Sequence, residues 1–433
     1  MAIFDFTLSF SILTHSISFR VILNKVERMR FILYIIYMGK RIFGFNRNVF
    51  FLGLVSFFND ISNQMVQSVM PVFLTTVLGA SAFFVGVLEG VADALASVLK
   101  VFSGWFSDKI HKRKAPAVLG YALSLGVRPL LALVTHFSQV FSLRVIDRIG
   151  KGIRDAPRDA LISESIEPHE YGKSFGIQRA FDALGTMVGP LVAFLLLPIL
   201  MYSYQSLFLV AFVVGLGTLV SFVFVRDSRA RAPEIHVPPP KLNAKLFKTN
   251  KRFILITGSI FVFGMGTLPI ILLLLKAAEV GLPGESIPLV YFVYNLAFVL
   301  GAVPLGKLAD RIGEGKVIAG GFIAAIIAYL GLAGTRDIVL TILLFALLGV
   351  YSAATDGVER ALAAKHLSPD VLASGQGFLN MAIGFSSLVA GVVGGFLWTR
   401  FGSTAALDYA GIISLVGLLV FIHVDRNVLK ESV

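Results

Sequence analysis

The chain of 433 residues carries 38 Lys and Arg against 26 Asp and Glu, a net charge of +12, yet only 15% of its residues are charged and 56% are hydrophobic. A mean hydropathy of +0.82 excludes a water-soluble globule, and the lack of cysteine excludes a disulfide framework and a thiolate metal site. Continuous apolar runs of roughly 20 residues, without period-2 alternation, point to membrane-spanning helices rather than a β-barrel.

In chain order, residues 1–49 form an N-terminal extension that fits poorly with the rest. Its segment "IFDFTLSFSILTHSISF" is apolar but short, contains Asp5 and His15, and has no small-residue cleavage site. Met38 opens "MGKRIFGFNRNVFF", which has the form of a short cytoplasmic lead into the first span. An internal start and an amphipathic or membrane-inserted segment both stay open, and neither is expected to carry the main function. Six spans are predicted next, at Phe50–Leu78, Phe83–Phe106, Pro116–Val134, Val140–Ile162, Ser174–Leu197 and Leu207–Val225. They make an N-terminal six-helix bundle over residues 50–225. The Pro- and Lys/Arg-rich stretch from Arg226 to Arg252 reads as a linker. Six further spans follow: Phe253–Leu275, Pro288–Ala309, Val317–Ala333, Val339–Ala364, Gly375–Thr399 and Thr404–Val424. These give a C-terminal bundle over 253–424 and a tail over 425–433. The fold class is all-α and polytopic, with twelve spans.

By counting spans, the basic loop "KIHKRK" (Lys109–Lys114) and the linker lie on one side, whereas "THFSQ" and "MYSYQS" on the other side hold no Lys or Arg. The positive-inside rule makes the linker, the C-terminus and the start of the first span cytoplasmic, in a cell (inner) membrane. The excess of positive charge is thus a topology signal, and no nucleic-acid partner is expected. No polar block is long enough for an aqueous domain.

The two halves repeat. "GWFSDKI" (Gly104–Ile110) matches "GKLADRI" (Gly306–Ile312) at an offset of 202 residues, and Asp155–Gly176 aligns with Asp356–Gly377 at an offset of 201. The second alignment pairs Asp155 with Asp356, Ala160 with Ala361, Leu161 with Leu362, Pro168 with Pro369 and Gly176 with Gly377. Two six-helix units in the same orientation imply bundles facing each other across a cavity near the bilayer midplane.

On these motifs the chain, from about residue 46 to 426, resembles a transporter of the major facilitator superfamily. "GWFSDKIHKRK" is similar to the family's loop between the second and third spans: Gly104, Asp108, Lys109, Lys112 and Arg113 match, and His111 replaces the usual second Gly. The copy "GKLADRIGEGK" keeps Gly306, Asp310, Arg311 and Gly313. "RIGKGIRDA" (Arg148–Ala156) looks like the family's fourth-span motif, with Lys151 where Gln is common. "GTMVGPLVA" resembles the fifth-span motif of antiporters through Gly185, Gly189 and Pro190, and departs from it at Phe194. The resemblance implies the twelve-helix fold, alternating access and no enzymatic activity.

An Asp at a cytoplasmic helix end can face the N-terminus of a neighbouring helix or pair with an Arg, latching two bundles in one state. Asp108 with Arg154 or Arg158 is the candidate latch, with Arg113, Asp310 and Arg311 the other gating candidates; Lys112, Arg113 and Lys114 also serve as topology signals. The glycines of the fifth span allow close backbone approach, and Pro190 removes a hydrogen bond. They suit static packing as well as a stiff cavity wall.

At about 100° per residue, Arg144, Arg148, Lys151, Asp155 and Arg158 fall within about 80° of arc on the fourth span. Asp147, Arg154 and Asp159 widen this stripe to about 140°. Charges so dense cannot face lipid, so the stripe must face protein or water. Glu89, Asp93 and Lys100 share a face of the second span; the first adds Asn59, Asp60, Asn63 and Gln64, and the fifth Gln178, Arg179 and Asp182. A carboxylate beside a cation in a low-dielectric site is a ready proton-coupling device, because protonation frees the cation. Asp60, Glu89 and Asp93 are the proton-coupling candidates. Arg148, Lys151, Arg179, Asp182, Asn295 and Asn380 are candidates for substrate contact or counter-charge. Several of the charges equally suit a structural salt-bridge network. In the other half Asp356, Glu359 and Arg360 mirror part of the stripe, and Tyr291, Tyr294, Asn295 and Asn380 suit a cavity wall or ordinary packing. That asymmetry suggests coupling in the N-terminal bundle and shape selection in the C-terminal one.

Scattered histidines lack metal-ligand spacing, and no Gly-rich loop ending in Lys-Ser/Thr exists, so neither metal nor ATP nor any other cofactor is expected. The expected partners are a small solute, a proton and the bilayer, and a monomer is expected. The reading is a proton-coupled secondary transporter, with efflux by antiport favoured by the fifth-span motif. Import of an anionic or zwitterionic solute by symport is the alternative, favoured by the Arg and Lys of the first bundle. A non-transporting membrane sensor would call for a signalling domain or long partner-binding tail. Protease added to right-side-out vesicles should leave the 226–252 linker intact, and protease in inverted vesicles should cut it; the opposite result inverts the topology.

Overall fold

The computed structural model describes residues 41, 42, 44–110, 113–167, 170–227, 250–367 and 371–430; the side chains of 100–110, 373 and 426–430 fall outside that description. The N-terminal extension up to residue 40, most of the linker and the end of the tail thus lie outside the described residues. Residues up to Arg47 form a unit of their own. Its described part is a two-strand antiparallel ribbon, β1 (Arg41–Ile42) and β2 (Phe45–Asn46), with Arg41 opposite Asn46. Gly44, at φ 78°, supplies the left-handed residue of the reversal.

From Asn48 onward the chain is one helical unit. Without water to satisfy backbone groups, helices take every span. The first half contains α1 (Arg47–Val72), α2 (Ala82–Ile110), α3 (Lys114–Leu131), α4 (Phe137–Glu164), α5 (Tyr171–Ile199) and α6 (Tyr204–Val223). α1 runs on into a π-helical turn, Phe73–Val77, just after Pro71. The second half contains α7 (Lys251–Gly264), α8 (Ile270–Glu279), α9 (Ile287–Ile312), α10 (Glu314–Gly334), α11 (Ile338–Lys365), α12 (Leu372–Phe401) and α13 (Ser403–Lys430).

Helix ends follow local chemistry. The α4 N-terminus is closed by a capping box in which the His136 side chain accepts from Ser138 N–H and Gln139 reaches back to the His136 N–H at 3.1 Å. Asp337 caps α11 by accepting from Leu340 N–H at 2.7 Å.

The seventh span, expected as one helix over Phe253–Leu275, is broken into α7 and α8. Pro269 has no N–H to continue the ladder and adopts an extended backbone, φ −54° and ψ 135°. Irregular backbone at membrane depth survives where it is buried in protein or lines a cavity. Here Gly264, Thr267 and Pro269 line one, and Gly266 lies so close to α13 that a Cβ would sit 2.7 Å from the Ala410 carbonyl oxygen.

Among the described residues nine helices are long and apolar enough to cross a membrane. α4 falls short because of its charges, α3 carries Arg128 and Lys114, and the seventh span is interrupted. Counting these three, the chain has the twelve expected spans.

Each half packs around its own core: α4 lies on α2 and α3 in one, and α10 lies on α11 and α13 in the other. The halves meet through α2 on α12 and α5 on α9. The α2–α12 contact is a seal made by small residues. Gly86 and Gly391 stand backbone to backbone, and a Cβ on either would collide with the carbonyl oxygen of the other. One turn away on each helix, a Cβ on Gly90 would lie 2.9 Å from Leu388 Cα, and one on Gly395 would lie 2.9 Å from the Ala82 carbonyl oxygen. Phe83 N–H donates across the seal to Thr399 Oγ1 at 2.8 Å. These are two Gly-x-x-x-Gly faces, Gly86/Gly90 and Gly391/Gly395, of the kind that brings membrane helices into backbone contact.

Because the chain has no cysteine of its own, a Phe83→Cys/Thr399→Cys pair should cross-link efficiently across the seal. Adding Gly391→Leu should lower that yield several-fold, and an unchanged yield would contradict the close approach.

Candidate substrate cavity

A cavity of about 410 Å³ lies between the bundles, beyond the seal. Asp93 and Ser97 of α2 and Lys151 of α4 form one wall, and Tyr294, Tyr351, Glu359 and Asn380 of α9, α11 and α12 stand on the other. The 3.6-residue repeat of α4 turns its charged stripe inward, so Arg144, Asp147, Arg148 and Arg154 are all buried.

Burying charge costs several kcal/mol per group unless it is paired. The stripe is paired by a network centred on Glu89. Arg144 grips both Glu89 oxygens, Nε to Oε1 at 3.0 Å and Nη2 to Oε2 at 3.0 Å. Arg144 also lies 3.5 Å from Asp147, and Arg148 lies 3.7 Å from Glu89 and 4.0 Å from both Asp93 and Asp147. Glu89 is thus held by a planar fork, whereas Asp93 is the loose end of the network. Its side chain is 46% exposed, and it accepts a hydrogen bond from Ser387 Oγ of α12 at 3.0 Å. That bond links the two bundles.

A second cluster gathers on Asn59 of α1. Arg128 donates to its carbonyl at 3.2 Å and its side-chain oxygen at 3.1 Å, Arg154 donates to the same side-chain oxygen at 3.1 Å, and the Asn59 amide donates to Asp60 at 2.8 Å. Arg154 also stacks on Tyr121, 4.3 Å from the ring centre. Gln178 donates to Asp182 at 3.0 Å and to Ser56. Gly185 and Gly189 bring α5 onto α1: a Cβ on Gly185 would lie 2.7 Å from the Phe57 carbonyl oxygen, and one on Gly189 2.6 Å from that of Ile61. Pro190 is buried beside them. In α4, Gly150 makes the same kind of contact with Gly120 of α3.

Of the residues singled out in the sequence, Asp93, Lys151, Tyr294, Asp356, Glu359, Arg360 and Asn380 stand on the cavity wall. Glu89 and Arg148 belong to the network behind it. Asp60 is not on the wall, and Asp182 is half-buried beside Gln178. Asn295 is buried and donates to Tyr291 O of its own helix at 2.9 Å, while Arg179 is exposed and off the wall. Arg154 and Arg158 turn to their own bundle; Arg158 pairs with Asp159 at 2.9 Å and donates to Ser56 at 3.3 Å. The side chain of Asp108, their expected partner, lies outside the described residues. Arg113 pairs with Glu164 at 3.0 Å, and Asp310 and Arg311 are exposed with no ion pair among the described residues.

The second half has a comparable bridge with the signs exchanged. Glu314, which the 202-residue offset of this loop aligns with Lys112, forms an ion pair with Lys365, which the 201-residue offset aligns with Glu164. The latter offset puts Glu359 in place of Arg158 and Arg360 in place of Asp159.

The stripe argument misses one interior residue and does not single out another. Arg128 is a single cation in the apolar "SLGVRPLL" of α3, and its signal was that isolation. Glu359 was visible as part of a repeated stripe, but nothing in its spacing separated it from its ion-paired neighbours.

Removing one partner from the buried network should be worse than removing two. Glu89→Gln leaves Arg144 and Arg148 short of charge and should cost about 3–5 kcal/mol, read as an earlier unfolding transition of the detergent-purified protein. Glu89→Met with Arg144→Met should be milder; equal or greater loss in the double variant would contradict the pairing.

The family model described as Major Facilitator Superfamily matches residues 52–282 and 254–432. An uncharacterized MFS-type transporter of Methanocaldococcus jannaschii is 33% identical over 393 residues, covering 87% of this chain and 95% of that protein. The multidrug resistance protein MdtG of Enterobacter lignolyticus is 26% identical over 302 residues, 65% of this chain and 69% of its own length. Among solved structures, that of the nucleoside transporter NupG aligns with a TM-score of 0.73 at 15% identity, over 87% of this chain and 99% of its own. A POT family transporter aligns with a TM-score of 0.75 at 14% identity, over 89% and 97%. At such identities the two structures speak for the fold alone. The matched family model, the close relative and the paired bundles agree: the chain belongs to the Major Facilitator Superfamily and is a multi-pass membrane transporter.

Proposed function

We propose that the protein is a proton-coupled secondary transporter that moves a small solute across the cytoplasmic membrane by alternating access, with efflux by antiport favoured. The observation that carries this reading is the Asp93–Ser387 hydrogen bond, which joins a cavity-wall carboxylate of one bundle to the sealing helix of the other. A hydrogen bond to an ionised carboxylate is roughly twice as strong as a neutral one. Protonation of Asp93 therefore loosens both its hold on Arg148 and its link to α12, which favours opening of the seal. A proton taken up from outside while the seal is open is lost to the cytoplasm after closure, which restores the link. Proton and solute thus move in opposite directions. Glu89, gripped by the Arg144 fork, suits a fixed anchor better than a switch, and Asp60 stands as a second titratable site beside Asn59.

Taken with the positive-inside rule, the seal lies at the outer ends of α2 and α12, and the cavity belongs to an inward-facing form. Asp108 is the gating residue at the cytoplasmic end, with Arg154 and Arg158 as its partners in the opposite state. The basic, Pro-rich 226–252 segment links two bundles that move as rigid bodies, and the molecule acts as a monomer. Efflux is favoured by the α5 glycine face on α1 and by relatives named multidrug resistance proteins. The symport alternative, with an anionic or zwitterionic solute, is favoured by Lys151 on the cavity wall.

The test is flux of a solute panel in proteoliposomes under an imposed pH gradient. Gradient-driven flux is expected in the native protein and should fall at least about tenfold in Asp93→Asn, a loss of about 1.4 kcal/mol of coupling, while Asn295→Ala stays near native. Flux that ignores the gradient, or that survives intact in Asp60→Asn, Glu89→Gln and Asp93→Asn alike, overturns proton coupling.

A further inference from the structure

Among the described residues of the N-terminal bundle, the buried carboxylates have partners: Glu89 takes the Arg144 fork and Asp147 lies 3.5 Å from Arg144, while the half-buried Asp60 accepts from Asn59. Glu359 of α11 does not. It is 7% exposed, stands on the cavity wall, and receives no hydrogen bond or ion pair among the described residues. Its neighbour in sequence, Arg360, is committed to Asp356 one turn back, at 2.9 Å. In the other half Arg158, at the equivalent position, is satisfied by the adjacent Asp159 at 2.9 Å. The repeat has thus turned a paired cation into an unpaired anion.

The remaining charges on the wall do not neutralise it. Asp356 and Arg360 share its helix, and Asp93 and Lys151 face it across the cavity. The parts of α7, α8, their connection, α9, α10 and α12 that form the wall bring only neutral groups, among them Thr267, Tyr294, Tyr329 and Asn380. Arg148, behind the wall, lies 4.0 Å from Asp93, and Arg360 is taken by Asp356 at 2.9 Å, so neither cation serves Glu359. A carboxylate in a low-dielectric wall with no donor is stable only with a proton or another cation on it. The aromatic residues near it are equipped for a cation's apolar body. Tyr294 is fixed by Ser352 at 2.8 Å, Tyr351 lies 3.4 Å from Thr267, and tyrosine faces attract cations. A volume of about 410 Å³ is that of a drug-sized ligand site.

We propose that Glu359 is the exchange site of this cavity, binding either a proton or the cationic nitrogen of the transported solute, and that the solute is a monovalent organic cation. This rests on the transporter reading above and assigns its substrate class. The step is an exchange: the protonated carboxyl plus the cation gives the carboxylate–cation pair plus a released proton. No bond within the solute changes. Asp93 then governs the seal, while Glu359 makes proton and solute mutually exclusive in the cavity.

Tetraphenylphosphonium is a suitable probe, bound to the purified full-length protein in weakly buffered detergent. The native protein should release up to about one proton per cation bound and bind more tightly at about pH 8 than at about pH 6, as linkage requires. Glu359→Gln should weaken binding about tenfold or more and abolish both the release and the pH dependence. Glu359→Asp should recover part of each, and Asp356→Asn, which frees Arg360 to pair with Glu359, should diminish the release. Native binding and proton release in folded Glu359→Gln overturn the assignment, as does release that vanishes in Asp93→Asn but not in Glu359→Gln. A folded native protein that binds no tetraphenylphosphonium at either pH overturns the cationic substrate. Failure of gradient-driven flux with intact release at Glu359 counts against transport coupling, not against this site.

Discussion

A charge cannot face hydrocarbon, and the organisation of this protein follows from where α4 hides its own. Eight charged residues lie between Arg144 and Asp159 of a helix that must still cross the membrane. The bidentate contact between Arg144 and Glu89 fixes α4 against α2, and with it the relative placement of the helices that form one cavity wall. Arg154 and Arg128 do the same for α1 by converging on Asn59. These pairs hold the N-terminal bundle together, since each buried ion would be several kcal/mol out of balance if its partner moved away. The surfaces between the bundles carry no such ion pairs among the described residues.

Those surfaces are built from the opposite material. Along the outer part of α2 and α12 the contact is glycine against backbone, with the Asp93–Ser387 bond inward of it. Such a contact is tight because it is close, not because it carries strong individual bonds, so it can part without stranding a charge. The contrast between an ion-locked N-terminal bundle and a glycine seal supports the proposed alternating access.

The internal repeat copies geometry while exchanging charge. The Arg113–Glu164 bridge of one half has a counterpart in Glu314–Lys365 of the other, made from a position one residue away in the repeat and with the signs reversed. At Arg158 and Glu359 the exchange is not compensated, because Arg360 pairs with Asp356 instead. The C-terminal half, which looks the less charged of the two in sequence, therefore contributes an anion to the wall that the ion-locked half does not match.

The sequence by itself determined the class of the molecule, its twelve spans, the repeat and the inward turn of the α4 stripe. These follow from hydropathy over about 20 residues and from helical periodicity, which are local properties. It also brought Asp93, Lys151 and Asn380 forward as cavity residues, because polar groups in apolar spans have few places to go. It did not determine which carboxylate is gripped and which is loose: Glu89 and Asp93 are one turn apart on the same face, and only the position of the Arg144 fork separates them. Nor did it reveal the break at Pro269, which depends on α13 and the cavity accepting irregular backbone, or the Gly86–Gly391 contact, which joins residues about 300 positions apart. The isolation of Glu359 was decided in the same way. Pairing is a property of distance in three dimensions, and the choice of Arg360 between two neighbouring carboxylates is made by the tertiary structure alone.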